Sequence, residues 1–340
     1  MAARSPIGLD IGSMSIRAVE TSRGKNGLAI VNLGQAPLPR GAVQGGVIQD
    51  DKAVTAALKH LWATTRFRSR DVVPGVANPQ IVVREMSVSN LPDRELRRSL
   101  PFQVGDALPL PVERSVLDFY PLENPGGNKT VRGLLIAAPK EAVLTAVHAI
   151  ERAGLHVVRV DLASFALLRA TSHLDAQVEA IIDIGAQATS VIVHADGEPL
   201  IVRTIPRGGA EITDMIATRL GVNVPEAESL KCRVGLQADD GPSTAEVIQE
   251  AVRPLIGEVR SSFAYLTSGE RHTRVTRLVL SGGGSLLPGL VEALSSQLGV
   301  EAVIADPLKR LRDQRRGKRE SLEQFRSTAA VSIGLTLGAA

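Results

Sequence analysis

Two short segments of this chain, one in each half, repeat the same pattern. Residues 8–13 read Gly-Leu-Asp-Ile-Gly-Ser, and residues 182–186 read Ile-Asp-Ile-Gly-Ala. Each contains an apolar strand that ends in Asp-Ile-Gly, followed by small or hydroxyl residues and a second apolar strand. Because Asp10 and Asp183 lie about one domain length apart, the repeat indicates duplication of a whole domain rather than a short solenoid repeat.

A strand–turn–strand of this kind favours phosphate binding. Glycine lets backbone N–H groups approach an anion without a Cβ clash, and successive N–H groups form an anion-binding nest. Ser13, Ser15 and Thr189 would add hydroxyl donors, and Arg17 would neutralise phosphate charge. The two aspartates would hold Mg²⁺, often through water, because this cation keeps several waters and takes one or two carboxylates. Either copy alone would be interpreted as an ordinary hairpin turn, but two copies at domain spacing favour the phosphate sites.

A third glycine cluster supports the same interpretation. Residues 278–284 read Leu-Val-Leu-Ser-Gly-Gly-Gly and precede a predicted helix from Leu287. Glycines between a strand and a helix let a nucleotide lie close to the backbone; the alternative is a flexible turn. Glu228 and Lys231 sit one helical turn apart and share a helix face. They would reach a ribose, or form a solvated ion pair.

Composition narrows the class of protein. The 340 residues suffice for about two domains at roughly 100–200 residues each. Aromatic residues make up 3% of the chain, which disfavours a nucleic-acid reader built on stacked aromatic platforms. The net charge of +3 gives no strong field over the whole protein. With Cys232 as the single cysteine and no uninterrupted apolar run of about 18 residues, the sequence predicts a soluble cytoplasmic protein.

In their order, these motifs resemble the type IV pilus assembly protein PilM family, a relative of the division protein FtsA within the actin, hexokinase and heat-shock chaperone superfamily. The segments that carry the resemblance are 7–13, 183–186 with Thr189 and Ser190, 207–209 with Thr213, 226–231, 278–288 and 333–335. They cover nearly the whole chain. Residues 107–111 and 118–120 are similar to the inserted subdomain that separates this branch from actin itself.

The resemblance implies an α/β, actin-like two-lobed ATPase fold made of duplicated ribonuclease H-like domains with an FtsA-type inserted subdomain. The first lobe is expected at residues 1–90, with about 160–177 and 326–340. The insert is expected at 91–159, and the second lobe at 178–325 with a helical subdomain at about 210–270. Within the insert, a helix from Arg94 is expected to be interrupted by Pro101.

The resemblance also implies ATP and Mg²⁺ in the cleft between the lobes. The first phosphate site would comprise Asp10, Gly12, Ser13, Met14, Ser15 and Arg17, and the second Asp183, Gly185, Ala186 and Thr189. Gly208 and Gly209 would lie near the phosphates, Glu228 and Lys231 near the ribose, and Gly282, Gly283, Gly284 and Leu286 near adenine. Asp10 and Asp183 would hold the metal. Arg17 replaces a lysine common in the family, and Ala188 stands where the family often has a second hydroxyl.

Three functions stay open from the sequence. The first is a nucleotide-dependent scaffold of a pilus or related secretion or DNA-uptake machine, in which hydrolysis would be slow or absent. The second is a small-molecule kinase of the same superfamily, for which Asp161 is the one candidate catalytic base. The third is a filament-forming cytoskeletal ATPase.

The resemblance implies a PilN-like inner-membrane partner. Its cytoplasmic N-terminal peptide would dock between the first lobe and the insert, near Leu108, Leu110, Val116 and Phe119. The protein would then lie at the inner face of the plasma membrane only through partners, without nucleic acid; self-association stays open. The basic stretch 309–319 is interpreted as a solvated loop or helix face, since no apolar anchor accompanies it.

Overall fold

The computed structural model describes residues 5–24, 27–105, 108–124, 126–175, 177–237, 242–268, 273–309, 311–315 and 322–338. Its strands are β1 (Ile7–Ile11), β2 (Ser15–Gly24), β3 (Gly27–Pro37), β4 (Val43–Gln44), β5 (Val47–Ile48), β6 (Asp71–Val76), β7 (Val82–Ser89), β8 (Ser115–Pro121), β9 (Thr130–Pro139), β10 (His156–Val157), β11 (Asp161–Leu162), β12 (Val178–Ile184), β13 (Thr189–Ala195), β14 (Glu198–Ile205), β15 (Arg277–Ser281), β16 (Glu301–Ile304) and β17 (Arg312–Asp313). Its α-helices are α1 (Asp51–Thr65), α2 (Asp93–Val104), α3 (Lys140–Arg152), α4 (Ala163–Thr171), α5 (Gly209–Leu220), α6 (Val224–Val234), α7 (Pro242–Ser268), α8 (Leu290–Leu298) and α9 (Ala330–Leu337). Short 3₁₀ helices span Val112–Arg114, Gly283–Leu286 and Leu322–Phe325.

Two sheets of matching topology form the centres of two lobes. The first runs in the order β10–β6–β1–β2–β3–β17, with β11 also on β6, and the second runs β14–β13–β12–β15–β16. In each, the leading strand pairs antiparallel with the next strand in sequence and parallel with a later one. The strand after the hairpin then pairs antiparallel with a third strand. The duplication expected from the two Asp-Ile-Gly segments is therefore present in the strand pairing.

The two Asp-Ile-Gly hairpins also match in register. Asp10 lies opposite Arg17 across the β1–β2 pair, and Asp183 lies opposite Ser190 across the β12–β13 pair. On the other side, β6 and β15 run parallel to these leading strands and end beside the two aspartates. Each aspartate therefore stands at the same place in its sheet, just before the hairpin turn.

A shared core joins the two sheets. Helices α4 and α9 pack against each other between the lobes. Their buried side chains contact Val19 and Val73 of the first sheet and Ile181 and Val279 of the second. Each such buried aliphatic side chain contributes about 1.5–3 kcal/mol to folding, so this shared layer connects the two sheets.

The insert is a separate antiparallel sheet, β7–β9–β8. Helix α2 packs on it, and Phe165 of α4 packs against the cluster formed by Leu134 and Ile136 of β9. Strand β7 precedes residue 91 and yet belongs to this sheet, whereas α3 packs against α1 of the first lobe. The division of the chain into domains at residues 91 and 159 stays a prediction.

Two local expectations differ from the structure. Helix α2 continues through Pro101, because Leu100 and Val104 on either side of the proline are both buried against the sheet. Of the two alternatives for the basic stretch 309–319, a solvated loop or a helix face, the described part excludes the helix face, since Arg312 and Asp313 pair with β3 as an edge strand. Residues 310 and 316–321 lie outside the described residues. Among the helices that the structure describes, none combines the length and apolar character needed to span a bilayer.

Candidate functional site

A cavity of about 890 Å³ lies between the two lobes. This volume falls within the range of about 300–1,000 Å³ that is usual for small-molecule sites. The structure brings nearly all the predicted site residues to its wall: Asp10, Gly12, Ser13, Met14, Ser15, Arg17, Asp183, Gly185, Ala186, Gly209, Glu228, Lys231, Gly282, Gly283, Gly284 and Leu286.

Two predicted residues do not line this cavity. Thr189 is fully buried, and its hydroxyl donates to the Arg207 carbonyl oxygen at 2.8 Å. Ser190, the next residue along β13, lines the cavity in its place. Gly208 precedes α5 and packs against the backbone of Ala186, where it lines a smaller adjoining cavity.

The two hairpin turns have the same local geometry. The Gly12 N–H donates to the Ser15 carbonyl oxygen at 3.0 Å, and the Gly185 N–H donates to the Ala188 carbonyl oxygen at 2.9 Å. The second turn also receives α5, whose Gly209 N–H donates to the Gly185 carbonyl oxygen at 2.9 Å. The start of α5 is therefore fixed directly against the second hairpin.

Burial disfavours ionisation of the two aspartates. Burial raises the pKa of Asp10, opposed by the Arg17 guanidinium, whose Nη1 lies 3.8 Å from the carboxylate. Burial also raises the pKa of Asp183, to about 6; a hydrogen bond with Ser281 opposes the rise and the charge of Asp10 adds to it. These like charges face one cavity and influence each other, which is the arrangement that a bound divalent cation would relieve.

The two carboxylates suit Mg²⁺ better than a metal whose ligands all come from the protein. Within the part of the chain that the structure describes, no group of three or more His, Cys, Asp or Glu residues is placed to hold a metal. A cation at Asp10 and Asp183 would therefore take two carboxylates and leave its other positions to water or phosphate. Mg²⁺ commonly binds in this way.

A polar network fixes one wall of the cavity. The Lys231 ammonium donates to the Gly209 carbonyl oxygen at 3.1 Å, to the Thr213 hydroxyl at 2.9 Å and to a Glu228 carboxylate oxygen at 2.7 Å. Burial alone would raise the pKa of Glu228, but the hydrogen bonds from Lys231 and Thr213 outweigh it and lower the pKa. Lys231 thus holds Glu228 ionised at the wall and ties α6 to α5.

The glycine-rich loop packs tightly under the opposite wall. The Gly282 N–H donates to the Ser327 carbonyl oxygen at 2.7 Å. A Cβ on Gly284 would lie 2.4 Å from Cγ2 of Ile184, whereas one on Gly283 would meet nothing closer than 4.0 Å. The loop therefore approaches the end of β12 more closely than a side chain at position 284 would allow.

Asp161, the candidate base for a kinase, does not line this cavity. Its carboxylate pairs with Arg169 and lies 3.9 Å from Arg159, and it also accepts the Leu162 N–H at 2.8 Å. These contacts tie β11 to α4 and occupy the carboxylate with structural ion pairs and a hydrogen bond.

The sequence did not reveal several residues that line the cavity. Arg40, Asn78 and Gln187 come from loops whose contacts are distant in sequence, so no local pattern marks them. Thr213, named in the sequence only as part of the family pattern, follows Gly209 by one helical turn on α5, and that spacing places the two residues on one helix face.

Comparison with known proteins agrees with this architecture. A sequence profile described as type IV pilus assembly protein PilM matches residues 8–340. The chain is 24% identical to the cell division protein FtsA of Bacillus subtilis over 88% of this chain and 78% of that protein. It is 25% identical to FtsA of Neisseria meningitidis serogroup B over 84% of this chain and 79% of that protein.

Solved structures give the same result. A PilM-PilN type IV pilus biogenesis complex matches with a TM-score of 0.86 and 28% identity, covering 98% of both chains. MreB5 of Spiroplasma citri bound to ADP matches with a TM-score of 0.58 and 14% identity, covering 98% of this chain and 96% of that one, which supports the fold alone. The expected α/β, actin-like two-lobed fold is confirmed.

Proposed function

The chain belongs to the type IV pilus assembly protein PilM family, and from that premise we propose that it is a cytoplasmic, ATP-binding scaffold that recruits a PilN-like inner-membrane protein. The proposed ATP binding rests on the two equivalent hairpins, each with its aspartate, that face one cavity. The partner part is supported by the likeness to a PilM-PilN complex.

The phosphates would lie between the two hairpin turns. Gly12 and Gly185 let the backbone approach them, and Ser13 and Ser15 lie on the same wall to donate hydrogen bonds. Arg17, which contacts Asp10 at 3.8 Å, would offset part of the phosphate charge. Asp10 and Asp183 would hold Mg²⁺, directly or through water, and the cation would offset the negative charge of the phosphates.

The nucleoside would extend towards the second lobe. Glu228 accepts hydrogen bonds from Lys231 and Thr213 and still faces the cavity, so its carboxylate is available to ribose hydroxyls. Leu286, which is 60% exposed, and the backbone of residues 282–284 would cover the base. Burial of the base against such side chains would add to the affinity.

Hydrolysis would be slow or absent. Among the described residues that line the cavity, the carboxylates are Asp10, Asp183 and Glu228. The first two are assigned to the metal, and Glu228 is held by Lys231. None of these carboxylates is therefore left to act as a general base toward an attacking water. The kinase alternative loses its one candidate base, because Asp161 does not line the cavity and pairs with Arg169.

The PilN-like peptide would dock on β8. This strand forms an edge of the insert, paired on one side with β9. Val116 and Tyr120 are 41% and 53% exposed and project from the same face, and Leu144 of the adjacent α3 is 46% exposed. An open edge beside exposed apolar side chains suits the addition of an extended peptide. Of the residues expected there, Phe119 and Leu108 pack into the insert's own core.

Calorimetric titration of a synthetic cytoplasmic peptide from the PilN-like protein tests the docking site. We expect Val116→Asp to weaken binding about tenfold, because it replaces an apolar contact with a second charge beside Asp118 on this face, and full burial of a valine side chain is worth about 1.5–3 kcal/mol. Phe102→Asp is the matched control, since Phe102 is 90% exposed on α2 and lies outside the proposed edge. Equal binding by the two variants, both folded by circular dichroism, would place the docking site elsewhere.

A further inference from the structure

Residues 39–48, here called the strap, leave the first sheet after β3 and pass along the mouth of the cavity. They include the small β4–β5 hairpin. The strap is attached to the first lobe by side chains on both sides: the Asn78 amide donates to the Gly45 carbonyl oxygen at 2.6 Å, and the Ile48 N–H reaches the Thr145 hydroxyl at 3.4 Å. The strap is therefore a fixed part of the first lobe.

The strap also contacts the second lobe at two points. The Arg40 guanidinium donates to Oδ1 of Asp214 on α5 at 2.5 Å. The Gly45 N–H reaches Oε1 of Gln187, in the turn of the second hairpin, at 3.4 Å. One contact is an ion pair and the other is a weak neutral hydrogen bond, so the ion pair is the stronger link.

The position of the ion pair is informative. Arg40, Val43, Gly45 and Gly46 of the strap line the nucleotide cavity. Arg40 and Asp214 together line the smaller adjoining cavity of about 580 Å³, which is more open to solvent. The pair therefore lies at the boundary between the nucleotide cavity and this more open cavity, which offers one route out for a nucleotide.

We propose that the strap is a latch that closes the cavity when Arg40 pairs with Asp214, and that opening of this pair limits the rate at which nucleotide leaves. The proposal rests on the nucleotide binding proposed above. Because Gln187 sits in the turn of the second hairpin, whose neighbours line the phosphate end of the cavity, an occupied phosphate site would also keep the strap in place. The latch thus lengthens nucleotide occupancy, which a scaffold requires more than turnover.

The expected effect is modest and salt-dependent. The Arg40 and Asp214 side chains are 43% and 51% exposed, and exposed pairs contribute about 0.2–1 kcal/mol, which corresponds to about a 1.4- to 5-fold change in rate. Salt screens such pairs, since the Debye length falls from about 10 Å at 0.1 M to about 3 Å at 1 M. Release from the wild type should therefore accelerate with salt.

Stopped-flow displacement of a fluorescent ATP analogue with Mg²⁺ measures this rate. Asp214→Asn, which does not line the nucleotide cavity, should release it about 1.4- to 5-fold faster and show a weaker salt dependence than the wild type. Asp214→Glu, which keeps the carboxylate, should retain slow release. Glu250→Gln is the control, because the Arg219–Glu250 pair has similar exposure, 57% and 52%, but lies within the second lobe. Unchanged release in Asp214→Asn, or equal acceleration in Glu250→Gln, would overturn the latch.

A second readout keeps this test independent of nucleotide binding. Spin labels at Lys59→Cys and Glu226→Cys, in a Cys232→Ser background, report the separation of the lobes without ligand. Asp214→Asn should broaden that distance distribution and Glu250→Gln should not; identical distributions would reject the latch. Absence of any signal from the fluorescent nucleotide would instead reject the proposed ATP binding and leave the label experiment to decide the latch.

Discussion

Replacing Asp183 with asparagine should stabilise the ligand-free protein while removing its response to Mg²⁺. Burial and the nearby charge of Asp10 raise the pKa of Asp183 from its usual 3.8 to about 6. Between these two values the folded protein holds a proton that the unfolded chain has lost. The free energy of unfolding therefore falls as pH rises through this window, by about 3 kcal/mol at about 1.36 kcal/mol per pKa unit.

The Asp183→Asn variant lacks this ionisation. At pH 7 it should unfold in urea with a free energy up to about 3 kcal/mol above that of the wild type, and the difference should vanish towards pH 4. The effect on ligand binding has the opposite sign. Saturating Mg·ATP at a hundred times its dissociation constant stabilises a binding protein by about 2.7 kcal/mol, and the variant should lose the Mg²⁺-dependent part of that gain.

Urea denaturation between pH 4 and pH 8, with and without Mg·ATP, measures both effects. The wild type should also lose Mg²⁺-dependent affinity by up to about tenfold per pH unit below pH 6, because the cation must displace the Asp183 proton. Asp214→Asn, which removes an exposed carboxylate, is the control. An Asp183→Asn variant that is less stable than the wild type at pH 7 and keeps its full Mg·ATP response would refute the reasoning.

Two further predictions concern the second lobe. Burial raises the pKa of Glu179, but its hydrogen bonds to His194 and neighbouring groups lower it overall, from 4.5 to about 2. The ionised Glu179 therefore adds up to about 3 kcal/mol to the free energy of unfolding above pH 4.5, and this stability is lost as pH falls towards 2. Glu179→Gln should flatten that acid dependence in urea titrations, and an unchanged acid slope would contradict this. Gly284→Ala should destabilise the protein by about 1–3 kcal/mol, because its Cβ would lie 2.4 Å from the Ile184 side chain. In the same urea titrations Gly283→Ala should leave the stability nearly unchanged, and equal losses in the two variants would show that the close approach does not matter.

The sequence allowed the hairpins to be predicted because their signals are local. Apolar runs with an Asp-Ile-Gly turn predict the same strand–turn–strand wherever they occur, and the pairing at Asp10 and Asp183 follows. The orientation of each hydroxyl was harder to predict. Strand side chains alternate between faces, and the turn geometry directs Thr189 into the core and Ser190 towards the cavity.

Contacts between distant parts of the chain could not be predicted in this way. Nothing near Arg40 in the sequence points to Asp214, which lies on a helix of the other lobe. Similarly, β7 reads as a strand, but its sequence does not say that it pairs with β9 rather than with the first sheet. Such choices depend on the packing of whole elements rather than on local patterns.

The central claim is that the two Asp-Ile-Gly hairpins hold one metal–nucleotide complex between them. A crystal of the chain grown with Mn²⁺ and ATP tests it directly, because Mn²⁺ takes the same oxygen ligands as Mg²⁺ and gives an anomalous signal. We predict one anomalous peak between Asp10 and Asp183, with phosphate density between the turns at Gly12 and Gly185. Nucleotide density elsewhere, or a fully loaded crystal without a peak between the two aspartates, would contradict the account.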